Sequence, residues 1–226
     1  FHHAFLSAGF LMGSKHSSKR GNVFVIAAAS GTGKTSLVSA LLSQHSDAAV
    51  SISHTTRTKR ANETDGENYF FVDRSEFLAL VDQGQFIEHA EVFDNLYGTS
   101  LQEMERITAA GQQMILEIDW QGALQVKAKM PQARLVFILP PSLNSLRERL
   151  INRGQDDAAT VERRHAGALT EIAQCIHFDY LLINDNFEEA LAGLETIVFD
   201  DAAEFTRVRQ SQRHQALIDQ LTATNE

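Results

Sequence analysis

The chain has 226 residues, and 29 Asp and Glu against 20 Lys and Arg leave a net charge of −9. That balance excludes the net-basic profile of a protein built to grip a nucleic-acid polymer. With 43% hydrophobic and 22% charged residues, the chain is an ordinary globular one, long enough to bury a core and carry a small inserted lobe. A single cysteine, Cys175, excludes an internal disulfide and any cysteine-rich metal site, and suits a reducing compartment.

Residues 1–21 are expected to precede the folded unit as an appended extension. The apolar stretch Ala4–Leu11 is eight residues, too short for a span of about 20. No Lys or Arg precedes it, as a secretory signal requires. Met12-Gly13-Ser14 then opens a polar, basic stretch ending at Lys19-Arg20, so the working protein is expected to begin near Met12. No other stretch approaches transmembrane length, which leads us to expect a soluble cytoplasmic protein.

In chain order, Val23–Ala29 reads as a strand buried on both faces, and Lys34–Gln44 as the helix that follows it. The stretch Val50–Gly98 breaks this rhythm. Short β-like pieces at Val50–Ser53, Tyr69–Val72 and Phe86–Val92 surround one helix, Ser75–Gln83, and a polar loop, Ala61–Asn68. It is read as an inserted, partly β lobe. Met114–Ile118, Leu135–Leu139 and Tyr180–Ile183 are further buried strands, alternating with helices at Trp120–Lys129, Leu143–Asn152 and Asp157–Ile176. Arg153–Asp157 is a polar loop, and a helical tail runs from Ala202 to Leu221 with apolar positions at Phe205, Val208, Ala216, Leu217 and Leu221. Alternation of strand and helix predicts an α/β fold with a parallel sheet flanked by helices.

The first strand runs straight into Ser30-Gly31-Thr32-Gly33-Lys34-Thr35 and the helix. A glycine-rich turn between strand and helix lets backbone N–H groups converge on an anion, helped by the helix N-terminus. Lys34 supplies a full charge for the terminal phosphates of a nucleoside triphosphate, and the Thr35 hydroxyl can ligate Mg²⁺. Ala28 stands where the P-loop pattern has its first glycine, which is tolerable if that backbone stays extended.

Within the lobe, Arg57 and Arg60 lie three apart with hydroxyls interleaved, a spacing suited to a forked phosphate clamp. Tyr69 and Tyr97 can each add a phenolic donor. Glu88 sits in an apolar β-like stretch, and a buried carboxylate needs donors. Guanine offers two adjacent ones, N1–H and the amino group, where adenine presents an acceptor. The hydroxyls of Ser53 and Thr99 can donate to the guanine O6. His54 and His89 are read as structural or solvent-facing.

Taken together, Ser30–Thr35, Ser53-His54-Thr55-Thr56-Arg57 with Arg60, Gly66–Val72, Phe86–Ala90, Tyr97-Gly98-Thr99 and Glu117–Gly122 resemble the guanylate kinase family in its bacterial form. The resemblance continues through Phe137–Pro141, Arg153-Gly154 and Ile183-Asn184-Asp185, and covers the chain from about Asn22 onward. It implies a P-loop core (22–52, 106–141 and 171–201), a GMP-binding lobe (53–105), a helical lid (142–170) and a C-terminal helix (202–226). It implies transfer of the γ-phosphoryl group of ATP to GMP with Mg²⁺, the ions and nucleotides being held by matching positions. Those for ATP are Ala29, Ser30, Gly31, Thr32, Gly33, Lys34, Thr35, Ser36 and Asn184, with Thr35 also on the Mg²⁺ shell. Those for GMP are Arg57, Arg60, Tyr69 and Tyr97 on the phosphate and Ser53, Glu88 and Thr99 on the base, with Glu117 and Asp119 near the guanine and the metal's water. Arg153 and Arg164 reach over the transferring group, joining Lys34 and Arg57 as catalytic residues.

The chain departs from the family pattern at Glu117, where Asp is usual, and at Lys59 and Asn62, where Pro and Gly are common; the last two bear on the conformation of the loop. The alternatives are a non-catalytic protein-binding module of the same fold and a kinase for another nucleotide or a sugar phosphate. A pure binding module has no need of Lys34-Thr35 in a glycine-rich loop. Monomer and homo-oligomer both remain compatible with the sequence.

Overall fold

The computed structural model describes residues 20–92, 94–152 and 158–223. Along the chain run β1 (Val23–Ala28), α1 (Lys34–Gln44), β2 (Ala48–Val50), β3 (His54–Thr55), β4 (Phe70–Phe71), α2 (Arg74–Asp82), β5 (Phe86–Val92), β6 (Asn95–Ser100) and α3 (Leu101–Ala109). They are followed by β7 (Gln113–Glu117), α4 (Trp120–Lys129), β8 (Arg134–Leu139), α5 (Leu143–Asn152), α6 (Ala158–Ala173), β9 (Tyr180–Ile183), α7 (Phe187–Phe199), α8 (Arg207–Arg213) and α9 (Gln215–Thr222).

One sheet is parallel throughout, in the order β2-β7-β1-β8-β9. Side chains alternate across a strand, so β1 sends Val23, Val25 and Ala27 to one face and Phe24 and Ile26 to the other. The first set packs with Ala123 and Val126 of α4, Leu146 of α5 and Ile172 of α6. The second packs with Leu37 and Leu41 of α1 and Leu191, Leu194 and Ile197 of α7. Both faces are therefore dry, which explains the unbroken apolar runs. Parallel strands all present their C-terminal ends on one edge, where ligands bind in such sheets. Here that edge carries the turns after β1, β7 and β9.

The second sheet has the order β4-β3-β6-β5, with β5 and β6 antiparallel. Phe77 of α2 packs on Phe86 and Leu96 beneath it; Asp73 caps α2 by accepting from the Glu76 N–H. Helix α4 ties this sheet to the first. Gln125 bonds both the N–H and the C=O of His89, at 3.2 and 3.1 Å, and Lys129 Nζ donates to Phe86 O at 3.0 Å.

The structure corrects the expected boundaries in several places. The strand expected at Val50–Ser53 within the lobe is instead Ala48–Val50, an edge strand of the first sheet. Its backbone pairs with β7, and the Ser51 N–H continues the ladder to Ile115 O at 3.0 Å. Helices α3 and α7 are additions to the sequence expectation. The helix expected over Asp157–Ile176 is observed from Ala158 to Ala173 and closes in a 3₁₀ turn at Gln174–His177; its expected cap lies outside the described residues. The tail is not one helix but a 3₁₀ turn (Ala202–Phe205), α8 and α9. Its course is interrupted because the Arg207 N–H is drawn to Asp179 O at 2.8 Å and His214 leaves helical geometry at φ −121°. Val208 is accordingly 57% exposed, while Ile218 and Leu221 are buried. No helix among the described residues is long and apolar enough to cross a membrane.

Candidate active site

At the C-terminal end of β1, the chain turns through Ala29–Gly33 into α1. Gly31 and Gly33 take φ of +90° and +95°, a left-handed backbone open to glycine and strained for other residues. A Cβ on Gly33 would lie 2.6 Å from Asn184 Nδ2. That amide, at the end of β9, donates to Thr32 O at 2.7 Å, and the Thr32 hydroxyl donates to Ala29 O at 2.6 Å. Ala28 is the last residue of β1, paired with Ile138, so its backbone is extended and its methyl costs nothing. The result is a preformed turn at a helix N-terminus, around a cavity of about 250 Å³.

Lys34 Nζ donates to Ile118 O at 3.1 Å. Burial holds its ammonium below the usual lysine range, although the charges of Glu117, Asp119 and Glu171 pull the other way. The Thr35 hydroxyl donates to the Glu117 carboxylate. Ser36 is exposed on the next position of α1. Among the described residues no three His, Cys, Asp or Glu side chains converge as a metal cage.

A second cavity, of about 320 Å³, opens between the two sheets. Lys34, Glu117 and Asp119 form its wall on the first sheet; Ser53, Tyr69, Glu88 and Tyr97 form the opposite wall. Lys34 lines both cavities. Asp119 caps α4, accepting from the Gly122 N–H at 2.8 Å. The rings of Tyr69 and Tyr97 are 6.0 Å apart, and the Arg57 guanidinium lies 5.4 Å from the Tyr69 ring. Arg57 is forked onto Glu63, and the Arg60 side chain is exposed. The two guanidiniums expected to converge on one point thus have different settings.

Glu88 reaches this cavity because of a bulge. The β5–β6 register shifts between Phe86 and Glu88, with Phe86 opposite Ser100 and Glu88 opposite Thr99. A bulge re-aims side chains: Phe86 enters the small core, Ile87 the main core, and Glu88 the cleft. Glu88 is 4% exposed, and burial pushes its carboxyl above the usual range. Gly122 leaves room for it, since a Cβ there would stand 3.3 Å from Glu88 Oε2 and 3.4 Å from Asp119 Oδ1. Thr99 is fully buried beside that carboxylate, and its hydroxyl and backbone partly offset the effect of burial on Glu88. His54 packs against Phe70 and Phe86, and burial lowers its pKa, as it does for His89. Neither lines the cleft.

Helices α5 and α6 cover the first cavity. Leu146 and Leu150 press on Gly31, where a Cβ would be 3.1 Å from Leu150 Cδ2. Arg149 donates to Asn184 O at 3.0 Å and to Thr32 O at 3.3 Å. Glu171 of α6 accepts from the Ser30 N–H at 3.1 Å, and burial pushes its carboxyl up. Arg149 and Glu171 are additions to the expected site; each is one charge among several in its helix and carries no local signature. Arg164 is exposed on α6, and Arg153 lies outside the described residues.

Comparison with known proteins bears directly on this arrangement. Residues 20–201 match the family model described as guanylate kinase. The chain is 53% identical over 201 residues to the guanylate kinase of Psychrobacter arcticus, covering 89% of this chain and 96% of that protein. It is 49% identical over 207 residues to the guanylate kinase of Yersinia pestis, covering 90% and 99%. The fold is similar to the crystal structure of guanylate kinase from Anaplasma phagocytophilum, with a TM-score of 0.63, 32% identity and coverage of 91% and 98%.

Proposed function

The chain belongs to the guanylate kinase family, and we propose that the cleft between its two sheets is where ATP hands its terminal phosphoryl group to GMP. The protein is an ATP-dependent phosphotransferase acting on GMP. One observation carries the assignment of the cleft: a lysine-bearing phosphate loop and a buried carboxylate face the same space, with Lys34 common to both cavities.

On this reading 22–52, 106–141 and 171–201 form the nucleotide-binding core, 53–105 the GMP lobe and 142–170 the lid. Backbone N–H groups from Ala29 to Thr35, with Ser36 and Asn184 beside them, hold the donor's phosphates. Arg57, Arg60, Tyr69 and Tyr97 hold the acceptor's phosphate. Glu88 accepts from guanine N1–H and the amino group, and the hydroxyls of Thr99 and Ser53 donate to O6. Two anionic substrates repel each other, so the work of the site is positioning and charge. Lys34, Arg57, Arg153 and Arg164 stabilise the charge that spreads over the transferring group. The nucleophile is an already ionised phosphate oxygen, so no general base is required, and neither histidine is given that role.

The family uses ATP as its Mg²⁺ complex. The Thr35 hydroxyl and Glu117 carboxylate, in contact at the start of α1, are hard oxygen donors of the kind Mg²⁺ takes. With so few protein donors, phosphates and water complete such a shell. When bound, the ion offsets phosphate charge. Thr35 would hold it, with Glu117 and Asp119 on its water. A cytoplasmic setting, reducing and rich in both nucleotides, suits the buried free thiol of Cys175, which burial pushes up to about 11.

Steady-state assays with GMP, AMP, CMP and UMP as acceptors test the assignment. We expect kcat/KM for GMP to exceed that for AMP by about 100-fold or more, the discrimination typical of a site with buried polar groups matched to one base. Equal rates with GMP and AMP would remove Glu88 from base recognition.

A further inference from the structure

Glu63 sits in the polar loop before β4, and no step above uses it, yet its polar atoms are almost fully committed. Its Oε1 accepts from Arg57 Nη2 at 2.6 Å and its Oε2 from Arg57 Nη1 at 3.1 Å, an end-on fork. The same Oε2 accepts the Arg60 backbone N–H at 2.8 Å. The Glu63 N–H donates to Arg60 O at 3.2 Å, and its carbonyl accepts from Lys59 Nζ at 2.9 Å. The paired side chains of Arg57 and Glu63 are only 17% and 12% exposed. The Arg57 guanidinium holds the Glu63 carboxyl below the usual carboxylate range.

A donor count shows what this fork leaves over. A guanidinium carries five N–H donors in a fixed plane. The Nη1 donors go to Glu63 and to Thr58 O at 2.9 Å, and one Nη2 donor goes to Glu63. The remaining pair, Nε–H and the second Nη2–H, lie parallel on the side edge, and the Tyr97 phenol interacts with the same guanidinium as a hydrogen-bond partner. Two parallel donors on one edge match two oxygens of a phosphate. The plane itself is held by the rings of Tyr69 and Phe71, 5.4 and 5.8 Å from the guanidinium carbon.

We propose that Glu63 is a positioning residue for the acceptor: one carboxylate fixes both the Arg57 guanidinium and the Arg60 backbone, so the phosphate clamp is set before GMP arrives. This rests on the reading of Arg57 as a ligand of the GMP phosphate. A long side chain held in its binding geometry loses less freedom when the ligand docks, which favours affinity. The carboxylate binds the end of the fork, and the acceptor's phosphate would dock on the side edge together with the Tyr97 phenol.

The test is steady-state kinetics of Glu63→Gln, Arg57→Ala and the double variant, beside thermal melts. Glu63→Gln is expected to raise KM for GMP by about tenfold, the scale of one charge-assisted contact, with KM for ATP within about twofold of the parent. In the Arg57→Ala background the same change should add almost nothing, because the two act as one unit. If Glu63→Gln does not fold, Glu63→Asp, which withdraws the carboxylate by one methylene, is expected to raise the GMP KM likewise. An unchanged GMP KM in the folded variant, an equal rise in both KM values, or additive effects in the double variant would overturn the proposal. A fall in GMP KM would do so too, making Glu63 a competitor of the phosphate. Arg57→Ala with an unaltered GMP KM would instead remove the clamp reading on which the proposal stands.

Discussion

Replacing Lys34 by alanine is expected to lower kcat by at least about 10²- to 10³-fold while the protein keeps its fold, the loss seen when a preorganised charge-stabilising group is removed. Lys34 is placed by two independent constraints and faces both cavities. The turn through Gly31 and Gly33 sets its backbone, and Ile118 O takes its ammonium at 3.1 Å. Burial alone would favour the neutral amine, and the carboxylates of Glu117, Asp119 and Glu171 counter that. On the proposed reading, a cation so placed meets the charge that builds between donor and acceptor. Loss of the side chain leaves Ile118 O without this partner, a cost of about 1–3 kcal/mol if it stays dry, within the reserve of about 5–15 kcal/mol typical of a domain. Circular dichroism and a thermal melt check the fold, and a coupled assay of ADP formation checks the rate. Near-normal turnover in Lys34→Ala would remove the loop from catalysis.

Glu88→Ala is expected to lower kcat/KM for GMP by about 100-fold or more, mainly through KM, because on the proposed reading the base's two donors lose a nearly buried carboxylate. KM for ATP should hardly move. The raised carboxyl gives two further signatures. In the parent, kcat/KM for GMP should fall on the acid side at a pH above the ordinary carboxylate range, since the protonated carboxyl can no longer accept both donors. Glu88→Gln should lack that limb while keeping the one from the GMP phosphate, which titrates near pH ~6.

Stability follows the opposite course. A carboxyl whose folded pKa is raised favours the native state below its unfolded value, and that contribution is lost as pH rises through the folded one. Once ionised, Glu88 therefore burdens the nucleotide-free fold. Glu88→Gln should raise Tm while lowering activity, the trade expected where function holds a charge in an apolar setting. A Gln variant with parental GMP kinetics would contradict the base-reading role.

Much of the first sheet was legible because its strands are dry on both faces and its loop is a contiguous motif. The strand, turn and helix from Val23 to Gln44 need only local rules. Helix α7 also carried its signals, with Asn186 capping Glu189 and apolar Ala190, Leu191, Leu194 and Ile197 at helical spacing. The edge strand Ala48–Val50 was harder to place, because three residues show no period and their partner β7 lies more than 60 residues along the chain. The bulge in β5 shows in the sequence only as three successive buried residues, Phe86, Ile87 and Glu88, which break strand alternation.

The candidate site divides the same way. Lys34, Thr35, Glu88, Asp119 and Asn184 belong to recognisable strings. Glu171 reaches the Ser30 N–H across 141 residues of chain and Arg149 reaches Thr32 across 117, so only the packing of α5 and α6 brings them there. Glu63 is local to Arg57, six residues away, but in a polar loop one carboxylate looks like any other until its bonds are seen.

The most direct test of one continuous cleft is calorimetric titration with an adenosine and a guanosine joined by a polyphosphate chain that replaces the phosphates of both nucleotides. If the two cavities meet at Lys34, one molecule should bind per chain, at least about 100-fold more tightly than GMP alone, because the second half docks at high effective concentration. Binding no tighter than that of a single nucleotide, or two molecules per chain, would contradict a shared cleft.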